Sequence, residues 1–391
     1  MSISGMVASG WRQDGFMNPE GEGWVLPVTV AVPAEPLDAV READAFDSVT
    51  RYSRLAVRGP LFGVAAHSGG ARDRWRVVRE VASAEPQDAR DGLNSLLWFK
   101  AKDEAKDRAE RRALLAAVKR LETEPVDELT VLGVRYRVVR ADEYAAMGDG
   151  GAIEEPWATD PEPHIRDWAP NARSAPIDDA LELDPEAPLT PVMASERLAL
   201  RTLAYAGQRY PDAVLRDSAQ AVQTHPDVLV LPALFRLVQR SGADSWSVSS
   251  RLFATPHDVR RILDFSLVWW GPRERGFISH DIARDVREIV DARTLVADGT
   301  HPELAELKEL AEAADRLRAA HLNQVEVGGQ VHRVVRARRL VRWGPDGPEG
   351  LRPSDVSEQG PTVIHPRLDE DGVIHHEEAG SDDSSAGGPA C

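Results

Sequence analysis

The chain of 391 residues has little cysteine and little lysine, and it has no long hydrophobic run. Its one cysteine, Cys391, excludes a disulfide framework and a cysteine-based metal site, so a reducing compartment is the natural expectation. No run of about 18 apolar residues is present, which excludes a membrane span. The first 30 residues lack the basic and apolar regions of a signal peptide. We therefore expect a cytoplasmic protein that has no membrane partner.

The charge is unevenly distributed. Lysine supplies 5 of the 47 basic residues, a bias that usually reflects genomic base composition. The net charge is −17, but residues 142–190 hold 13 acidic residues against 2 arginines, and residues 352–391 hold 9 acidic against 2 basic residues. The remainder of the chain is close to neutral. Acidic flexible segments favour solubility and repel nucleic acid, so nucleic acid is not an expected partner.

The strongest positive signal is an internal repeat. Residues 130–141 (TVLGVRYRVVRA) return at 326–337 (EVGGQVHRVVRA) with 7 of 12 positions identical. Upstream, Leu61-Phe62 matches Leu234-Phe235 at an offset of 173 residues, and the offset drifts by a few residues before it rises to 196. This drift is typical of a duplicated domain that has gained insertions at its surface. The sequence thus predicts a tandem duplication that superposes Trp75 on Trp246, Pro86 on Pro256 and Arg137 on Arg333.

Each copy has the predicted order strand–helix–strand–strand–helix–strand, which indicates an α+β fold made of two two-layer α/β sandwiches. A ferredoxin-like sandwich has this order, as do other α+β arrangements. The opening strands are predicted at 28–32 and, more weakly, at 181–184. A helix from Leu37 to about Tyr52 follows the first of them, with an apolar face of Ala39, Val40, Ala43, Phe46 and Val49. The predicted organisation is a flexible arm at 1–24, copies at 25–144 and 190–344, an acidic Pro/Gly linker at 145–189, and a disordered acidic tail at 345–391.

One strand pattern occurs three times, as RWRVVRE at 74–80, RYRVVRA at 135–141 and VHRVVRA at 331–337. Two interpretations stay open. The arginines pair with carboxylates of the packed helices, or equivalent arginines of the two copies converge near a pseudo-twofold axis and hold a small anion. The candidate ligand-binding residues are Arg137, Arg140, Arg333 and Arg336.

Other candidate chemistry is weak, and we expect no catalytic residue, no metal and no cofactor. Trp98-Phe99 and Trp269-Trp270 lie beside basic residues, but their helical spacing behind leucines favours a core position over nucleic-acid stacking. His280-Asp281 also fits a helix start, and the histidines His365, His375 and His376 would hold a metal only weakly. The sequence has no P-loop, HExxH or GxSxG pattern.

The segments AVRGPLFGVA (56–65), ARDGLNSLLWFKAKDEAKDRAERRALLAAVKRLE (89–122), VRYRVVRADEY (134–144) and TPHDVRRILDFSLVWW (255–270) resemble an uncharacterised protein family of actinobacteria. The resemblance covers most of residues 28–343. No activity is established for that family, so the resemblance implies a compact, intracellular, duplicated protein and no catalytic residues.

The leading hypothesis for function is a non-catalytic intracellular binding or interaction protein. The alternative is an enzyme or a sensor of a small anionic ligand with its site at the junction of the copies. A junction pocket with convergent Arg137 and Arg333 would favour the alternative, and a filled apolar junction would favour a protein partner. We also expect that removing residues 352–391 leaves the thermal midpoint almost unchanged, because a disordered tail buries little apolar surface.

Overall fold

A curled antiparallel sheet of ten strands extends through both halves of the chain in the computed structural model. The structure describes residues 25–70, 74–242, 245–279 and 290–375. The N-terminal half consists of α1 (Pro36–Arg51), β1 (Arg54–His67), β2 (Trp75–Ser83), α2 (Pro86–Phe99), a π-helical turn (Lys100–Glu104), α3 (Arg108–Leu121), β3 (Glu128–Val131) and β4 (Val134–Met147).

A connecting region and the C-terminal half follow. The connecting region contains a 3-10 turn (Asp149–Gly151), β5 (Glu182–Leu183) and α4 (Pro191–Leu200). The C-terminal half consists of α5 (Asp212–Thr224), β6 (Asp227–Ser241), β7 (Ser247–Val248), α6 (Pro256–Phe265), a π-helical turn (Ser266–Trp270), α7 (Gly271–Glu274), α8 (Ala292–Asp298), α9 (Leu304–Ala320), β8 (Gln324–Val327) and β9 (Gln330–Gly344). Three two-residue strands close the described chain: β10 (Gly347–Pro348), β11 (Arg367–Leu368) and β12 (Ile374–His375).

The sheet has the strand order β5-β2-β1-β4-β9-β6-β7, with β3 added to β4 and with β8 and β10 added to β9. The two halves join through antiparallel pairing of β4 with β9. Helices α2 and α3 cover one end of the sheet over Phe62 and Val64, and helices α6 and α9 cover the other end over Phe235 and Leu237. The mixed helix and strand content fits the predicted α+β class.

Of the two predicted opening strands, the one at 28–32 is wrong and the one at 181–184 is confirmed in part. Val30 makes only an isolated parallel bridge to Leu189 among the described residues, and Val32 is 80% exposed. The weak strand predicted at 181–184 forms β5, but it pairs with β2 of the N-terminal half. Each half therefore begins with a helix and continues with two strands, helices and two strands, which is not the ferredoxin-like order.

The apolar face predicted for α1 is exposed to solvent. The buried residues of this helix are Ala45 and Ser48, whereas Val40, Phe46 and Val49 are 50%, 65% and 54% exposed. The helix contacts the protein body through these two small residues, and Ser48 donates a hydrogen bond to the buried Glu154.

The segments predicted as a linker and a disordered tail are largely packed against the body. We call residues 148–179 the first strap and residues 345–375 the second strap. In the first strap Glu154 is fully buried and pairs with Arg338. In the second strap Leu368 joins the core under α2 and α3. Ion pairing with arginines of the body explains why acidic segments are ordered here.

Several predicted features lie outside the described residues: the arm at 1–24, the helix start indicated by His280-Asp281, and the last residues from His376 to Cys391. Within the described ranges, no helix has the length and apolar character needed to cross a bilayer.

Candidate functional site

Arg137 and Arg333 occupy matching places on the hairpins β3–β4 and β8–β9. The Arg137 Nε donates to Glu128 at 2.7 Å, and the Arg333 Nε donates to Gln324 at 2.9 Å. Each guanidinium lies near a tryptophan, 5.1 Å from the Trp75 ring centroid for Arg137 and 5.2 Å from Trp246 for Arg333. Arg137 also pairs with Asp346 of the second strap at 2.5 Å. No contact within the described chain brings these two arginines together.

Arg140 and Arg336 contact the two straps reciprocally. Arg140 of the N-terminal half donates to Asp355 of the second strap at 3.0 Å, and Arg336 of the C-terminal half donates to Asp160 of the first strap at 3.2 Å. Burial alone would lower the pKa of Arg140, but Asp142 and other neighbours outweigh it and raise the pKa. The predicted carboxylate pairing therefore exists, but its carboxylates come from the straps and from the sheet, where Glu128 pairs with Arg137 and Asp142 pairs with Arg140, and not from packed helices.

In each of the aromatic pairs Trp98-Phe99 and Trp269-Trp270, the first residue packs in the core and the second is exposed. Trp98 is buried and donates its indole N–H to Pro366 of the second strap at 3.1 Å, whereas Phe99 is 46% exposed. His365 stacks on Trp98 at a centroid distance of 4.6 Å, so this histidine packs the second strap against α2. Trp269 packs against the C-terminal core and Trp270 is 42% exposed. Among the described residues no group of three or more His, Cys, Asp or Glu side chains is arranged to hold a metal ion.

A cavity of about 480 Å³ lies where β1 and β4 meet β6 and β9, and we call it the junction pocket. Its apolar wall includes Ile153, Trp246 and Val335. Its charged lining is strongly asymmetric, because five arginines face a single carboxylate. These residues are Arg58, Arg209, Arg236, Arg240, Arg336 and Glu143.

The single carboxylate is shared and does not neutralise this lining. Glu143 pairs with Arg58 at 3.1 Å and with Arg236 at 3.0 Å. Arg336 is compensated separately by Asp160. Arg240 has no ion pair among the described residues; its buried Nε has no hydrogen-bond partner, and its guanidinium lies 4.6 Å from the Trp246 ring centroid. The pocket consequently carries an excess of positive charge.

Arg236 is the most informative residue of the pocket. It is 5% exposed, and its Nε has no hydrogen-bond partner. Desolvation lowers the pKa of Arg236 to about 10, Glu143 opposes this shift only in part, and the neighbouring Arg58 adds to it. A buried cation with incomplete compensation costs stability, which is the pattern often seen where a protein receives a charged ligand.

Sequence reasoning missed Arg236, although a signal was present. The aligned segments read Leu61-Phe62-Gly63 in the N-terminal half and Leu234-Phe235-Arg236 in the C-terminal half. A Cβ at Gly63 would lie 2.6 Å from the Glu80 carbonyl oxygen, so β2 leaves no room for a side chain there. The counterpart strand β7 has only two residues, and Arg236 lies in the junction pocket with Trp246 and Val248.

A larger cleft of about 1210 Å³ lies between β2 and α2. Four cationic and six acidic side chains line it, and many of them already pair, such as Arg76 with Glu182 at 2.7 Å. Arg79 holds the position of Arg140 and Arg336 in the strand pattern at 74–80, and its Nε–H donates to the Gly92 carbonyl at 2.7 Å. The cleft has mixed charge and lacks the one-sided excess of the junction pocket.

Comparison with known proteins gives one result. No curated protein and no solved structure matches the chain significantly. The model of a family of unknown function, DUF5954, matches residues 35–358. That range includes both halves, the first strap and the part of the second strap that holds Arg140. The chain therefore belongs to the family of unknown function DUF5954.

Proposed function

We propose that the chain is a tandem duplication whose halves are related by a pseudo-twofold axis. The strand registers support this. From Leu61–Ala141 to His67–Arg135, each β1–β4 pair has a β6–β9 counterpart, from Leu234–Ala337 to Arg240–Val331. The offsets stay at 173 residues for the first strand and 196 for the second throughout.

The pairing of β4 with β9 gives the position of the proposed axis. Glu143 lies opposite Arg339, and these two residues are themselves separated by the offset of 196. A twofold operation would therefore map this pair onto itself and would exchange Asp142–Leu340 with Arg338–Tyr144. The twofold operation would also exchange the strap contacts Arg140–Asp355 and Arg336–Asp160, with an offset of 195 residues between the two strap carboxylates.

On this scaffold we propose a non-catalytic protein that binds a small organic anion in the junction pocket. The observation that carries the proposal is Arg236, a buried guanidinium with an unpartnered Nε in a pocket of five arginines and one carboxylate. An anionic ligand would supply the charge that Glu143 alone does not. Since Glu143 is already engaged by two arginines, it is poorly placed to act as a general base.

The pocket also indicates the class of ligand. A volume of about 480 Å³ lies in the range of small-molecule sites, which are about 300–1,000 Å³. Arginine suits carboxylate and phosphate groups because its planar donors can bind two oxygens at once. The Trp246 and Val335 side chains offer an apolar surface beside these donors. We therefore propose a carboxylate or phosphate ester with an apolar or aromatic body.

The experiment is a thermal-shift screen with inorganic phosphate, a nucleoside monophosphate, an aromatic carboxylate and an uncharged aromatic amide. The wild type should be stabilised by at least one aromatic anion and not by the amide. Arg236→Met should lose that stabilisation.

The matched control is the double variant Arg137→Lys with Arg333→Lys, which keeps both charges and changes no residue that lines the junction pocket. It should retain the ligand response. If instead the double variant loses the response and Arg236→Met keeps it, the anion binds at the repeated strand arginines, and the junction-pocket proposal is wrong.

A further inference from the structure

The junction pocket lies where the other half of the sheet has a filled apolar core. Two strand pairings establish the correspondence. Ala65 of β1 lies opposite Val77 of β2, and Val238 of β6 lies opposite Val248 of β7. The pairs are related by offsets of 173 residues for the first member and 171 for the second. Residues at matching places therefore belong to a buried core in the N-terminal half and line a cavity in the C-terminal half.

Leucines of a third strand complete the N-terminal core. Leu183 of β5 lies opposite Trp75 of β2, and the Val77 amide donates to the Leu181 carbonyl at 2.8 Å. Leu183 is 1% exposed and belongs to one buried cluster with Trp75 and Val77, against which Leu181 packs. Two leucines of an extended segment thus fill the space beside β2.

The matching space beside β7 has no such segment in the described part of the chain. Strand β7 is the last strand of the described sheet on its side, so no described strand pairs with it as β5 pairs with β2. Trp246 corresponds to Trp75 at the offset of 171, and it lines the junction pocket together with Val238 and Val248. Val248 is 37% exposed, whereas its counterpart Val77 is 3% exposed. The pocket therefore corresponds to the space that leucines fill in the other half.

The charges around this space differ between the halves. Arg236 stands at the position of Gly63, and Arg58 stands at the position of Leu231, both at the offset of 173. Arg236 also lies opposite Val335 on the neighbouring strand β9, so charged and apolar surface adjoin in the pocket. A leucine-like chain would fill the apolar part. A carboxylate on that chain would meet Arg236, whose Nε has no hydrogen-bond partner.

We propose that the junction pocket binds a carboxylate carried on a branched aliphatic chain of leucine size, with the chain in the place that Leu183 has in the other half. This inference rests on the proposed function, because it uses the same pocket and the same arginine, and it narrows the ligand to one chemical class. A free branched-chain acid and a peptide that ends in leucine both carry this group, and the experiment separates the two sources.

The test is isothermal titration calorimetry of the full chain with matched probes. The free acid is 4-methylpentanoate, its uncharged match is 4-methylpentanamide, and its match without the branched chain is acetate. We expect 4-methylpentanoate to bind on the order of a hundredfold more tightly than acetate, because it buries about four more carbon atoms. It should bind about tenfold more tightly than the amide, because the amide gives Arg236 no anionic partner. Arg236→Met should bind acid and amide alike.

Variants of the pocket wall locate the aliphatic chain. Met147→Trp introduces the residue that the filled core has at the matching place, Trp343 at the offset of 196, and Val248→Trp enlarges the wall on β7. Each should weaken binding of 4-methylpentanoate by about tenfold or more, because the added ring occupies the space of the chain. The matched control is Ser247→Trp, since Ser247 is exposed on the same strand and does not line the pocket. It should bind the acid like the wild type, and circular dichroism checks that all variants fold.

A peptide separates the two sources of the ligand group. Acetyl-Leu-Ser-Leu reproduces the spacing of Leu181 and Leu183 and ends in a free carboxylate. Tighter binding of this peptide than of 4-methylpentanoate assigns the group to a peptide terminus, and weaker binding assigns it to a free acid. Either result supports the shared chemistry.

The outcomes separate this inference from the proposed function. If an aromatic anion stabilises the protein through Arg236 but neither 4-methylpentanoate nor the peptide binds, the leucine-like ligand is wrong and the proposed function stands. The inference is also overturned if acetate binds as tightly as 4-methylpentanoate, or if Met147→Trp and Val248→Trp leave binding unchanged, because no aliphatic chain would then lie in the pocket. If acid and amide bind the wild type alike, or if no anion binds, both proposals are wrong.

Discussion

The two halves hold their straps through the same backbone geometry but with different charges. Arg140 N donates to the Glu349 carbonyl at 3.0 Å, and Arg336 N donates to the Glu154 carbonyl at 2.9 Å. Beside these contacts, Asp142 in the N-terminal half corresponds to Arg338 in the C-terminal half at the offset of 196. The sign of the buried charge is therefore inverted at equivalent positions.

Each cluster remains neutralised in its own way. In the N-terminal half, Arg140 and Arg352 pair with Asp142 at 2.5 and 3.4 Å. In the C-terminal half, Arg338 pairs with the strap residue Glu154 at 2.6 Å. At the strap offset of 195 residues, Trp157 occupies the position that Arg352 has in the other cluster. The difference teaches that the path of the strap constrains the backbone, whereas a buried charge can change sign if its partners change with it.

The largest effect should come from removing most of the second strap, from residue 352 onward. Deleting residues 352–391 removes the Arg140–Asp355 pair, the Leu368 side chain from the core and the acceptor of the Trp98 indole. We expect a loss of about 4 kcal/mol or more in the free energy of unfolding, measured by urea titration. Deleting only residues 376–391 leaves every described contact in place and serves as the control. Equal midpoints for both deletions would support the sequence-based prediction of a dispensable tail.

Neutralising one carboxylate in each cluster should be nearly as damaging. Asp142→Asn and Glu154→Gln each remove the charge from a carboxylate that is at most 3% exposed and holds buried arginines. We expect each variant to lose about 3–5 kcal/mol, because breaking a buried pair leaves an uncompensated charge. Asp38→Asn on the exposed part of α1 is the control and should change stability by less than about 0.5 kcal/mol. If one cluster proves insensitive, the two clusters do not play equivalent roles.

Two glycines test the equivalence of the halves at the backbone level. A Cβ at Gly148 would lie 2.8 Å from the Arg51 carbonyl oxygen, and a Cβ at Gly344 would lie 2.9 Å from that of Thr224. Both contacts press a strand end against the last turn of a helix, and a backbone atom cannot move aside easily. Gly148→Ala and Gly344→Ala should each cost about 1–3 kcal/mol in thermal or urea unfolding. Gly360→Ala, which meets nothing within 4 Å, should be neutral. Very unequal costs would argue against the proposed symmetry.

A smaller effect should appear as a difference in acid sensitivity. Burial would raise the pKa of Asp142, but Arg140 and Arg352 outweigh it and lower the pKa. A carboxylate with a lowered folded-state pKa contributes stability above its unfolded pKa of about 4, and this stability is lost as the pH falls through the folded pKa. Urea unfolding between pH 6 and 3 should therefore show a shallower acid loss in Asp142→Asn than in the wild type. Replacement of its counterpart, Arg338→Met, should not remove this component.

Much of the fold could be predicted because it depends on local patterns and on the repeat. The valine and arginine alternation of 135–141 and 331–337 is visible in the sequence, and both segments form long central strands. Helix α6 begins at Pro256 after the capping Thr255, as its residues indicate. The straps could not be predicted, since their order depends on ion pairs such as Arg140–Asp355 that span 215 residues. Composition alone describes such acidic segments as flexible.

The candidate site was harder to predict than the fold. The repeated arginines were predicted to bind a ligand because they are identical in the two segments, yet Arg137 and Arg140 form ion pairs with carboxylates of the second strap. Arg236 is a position at which the aligned segments of the two halves differ, since the N-terminal half has Gly63. Its importance depends on its place in the junction pocket and on the shared carboxylate of Glu143, which are both properties of the assembled sheet.

The most direct test of the junction pocket is the free energy of unfolding of Arg236→Met without ligand and with the anion found to stabilise the wild type. Our account assigns Arg236 to ligand binding. Because Arg236→Met leaves the buried Glu143 with Arg58 as its remaining partner, the ligand-free measurement is also made on Arg236→Met with Glu143→Gln. This double variant should match the wild type within about 1 kcal/mol, because both partners of the buried pair are replaced. The added anion should then give no stabilisation. A ligand-free variant that is several kcal/mol less stable, yet still responds to the anion, would show that Arg236 is structural and would contradict the account.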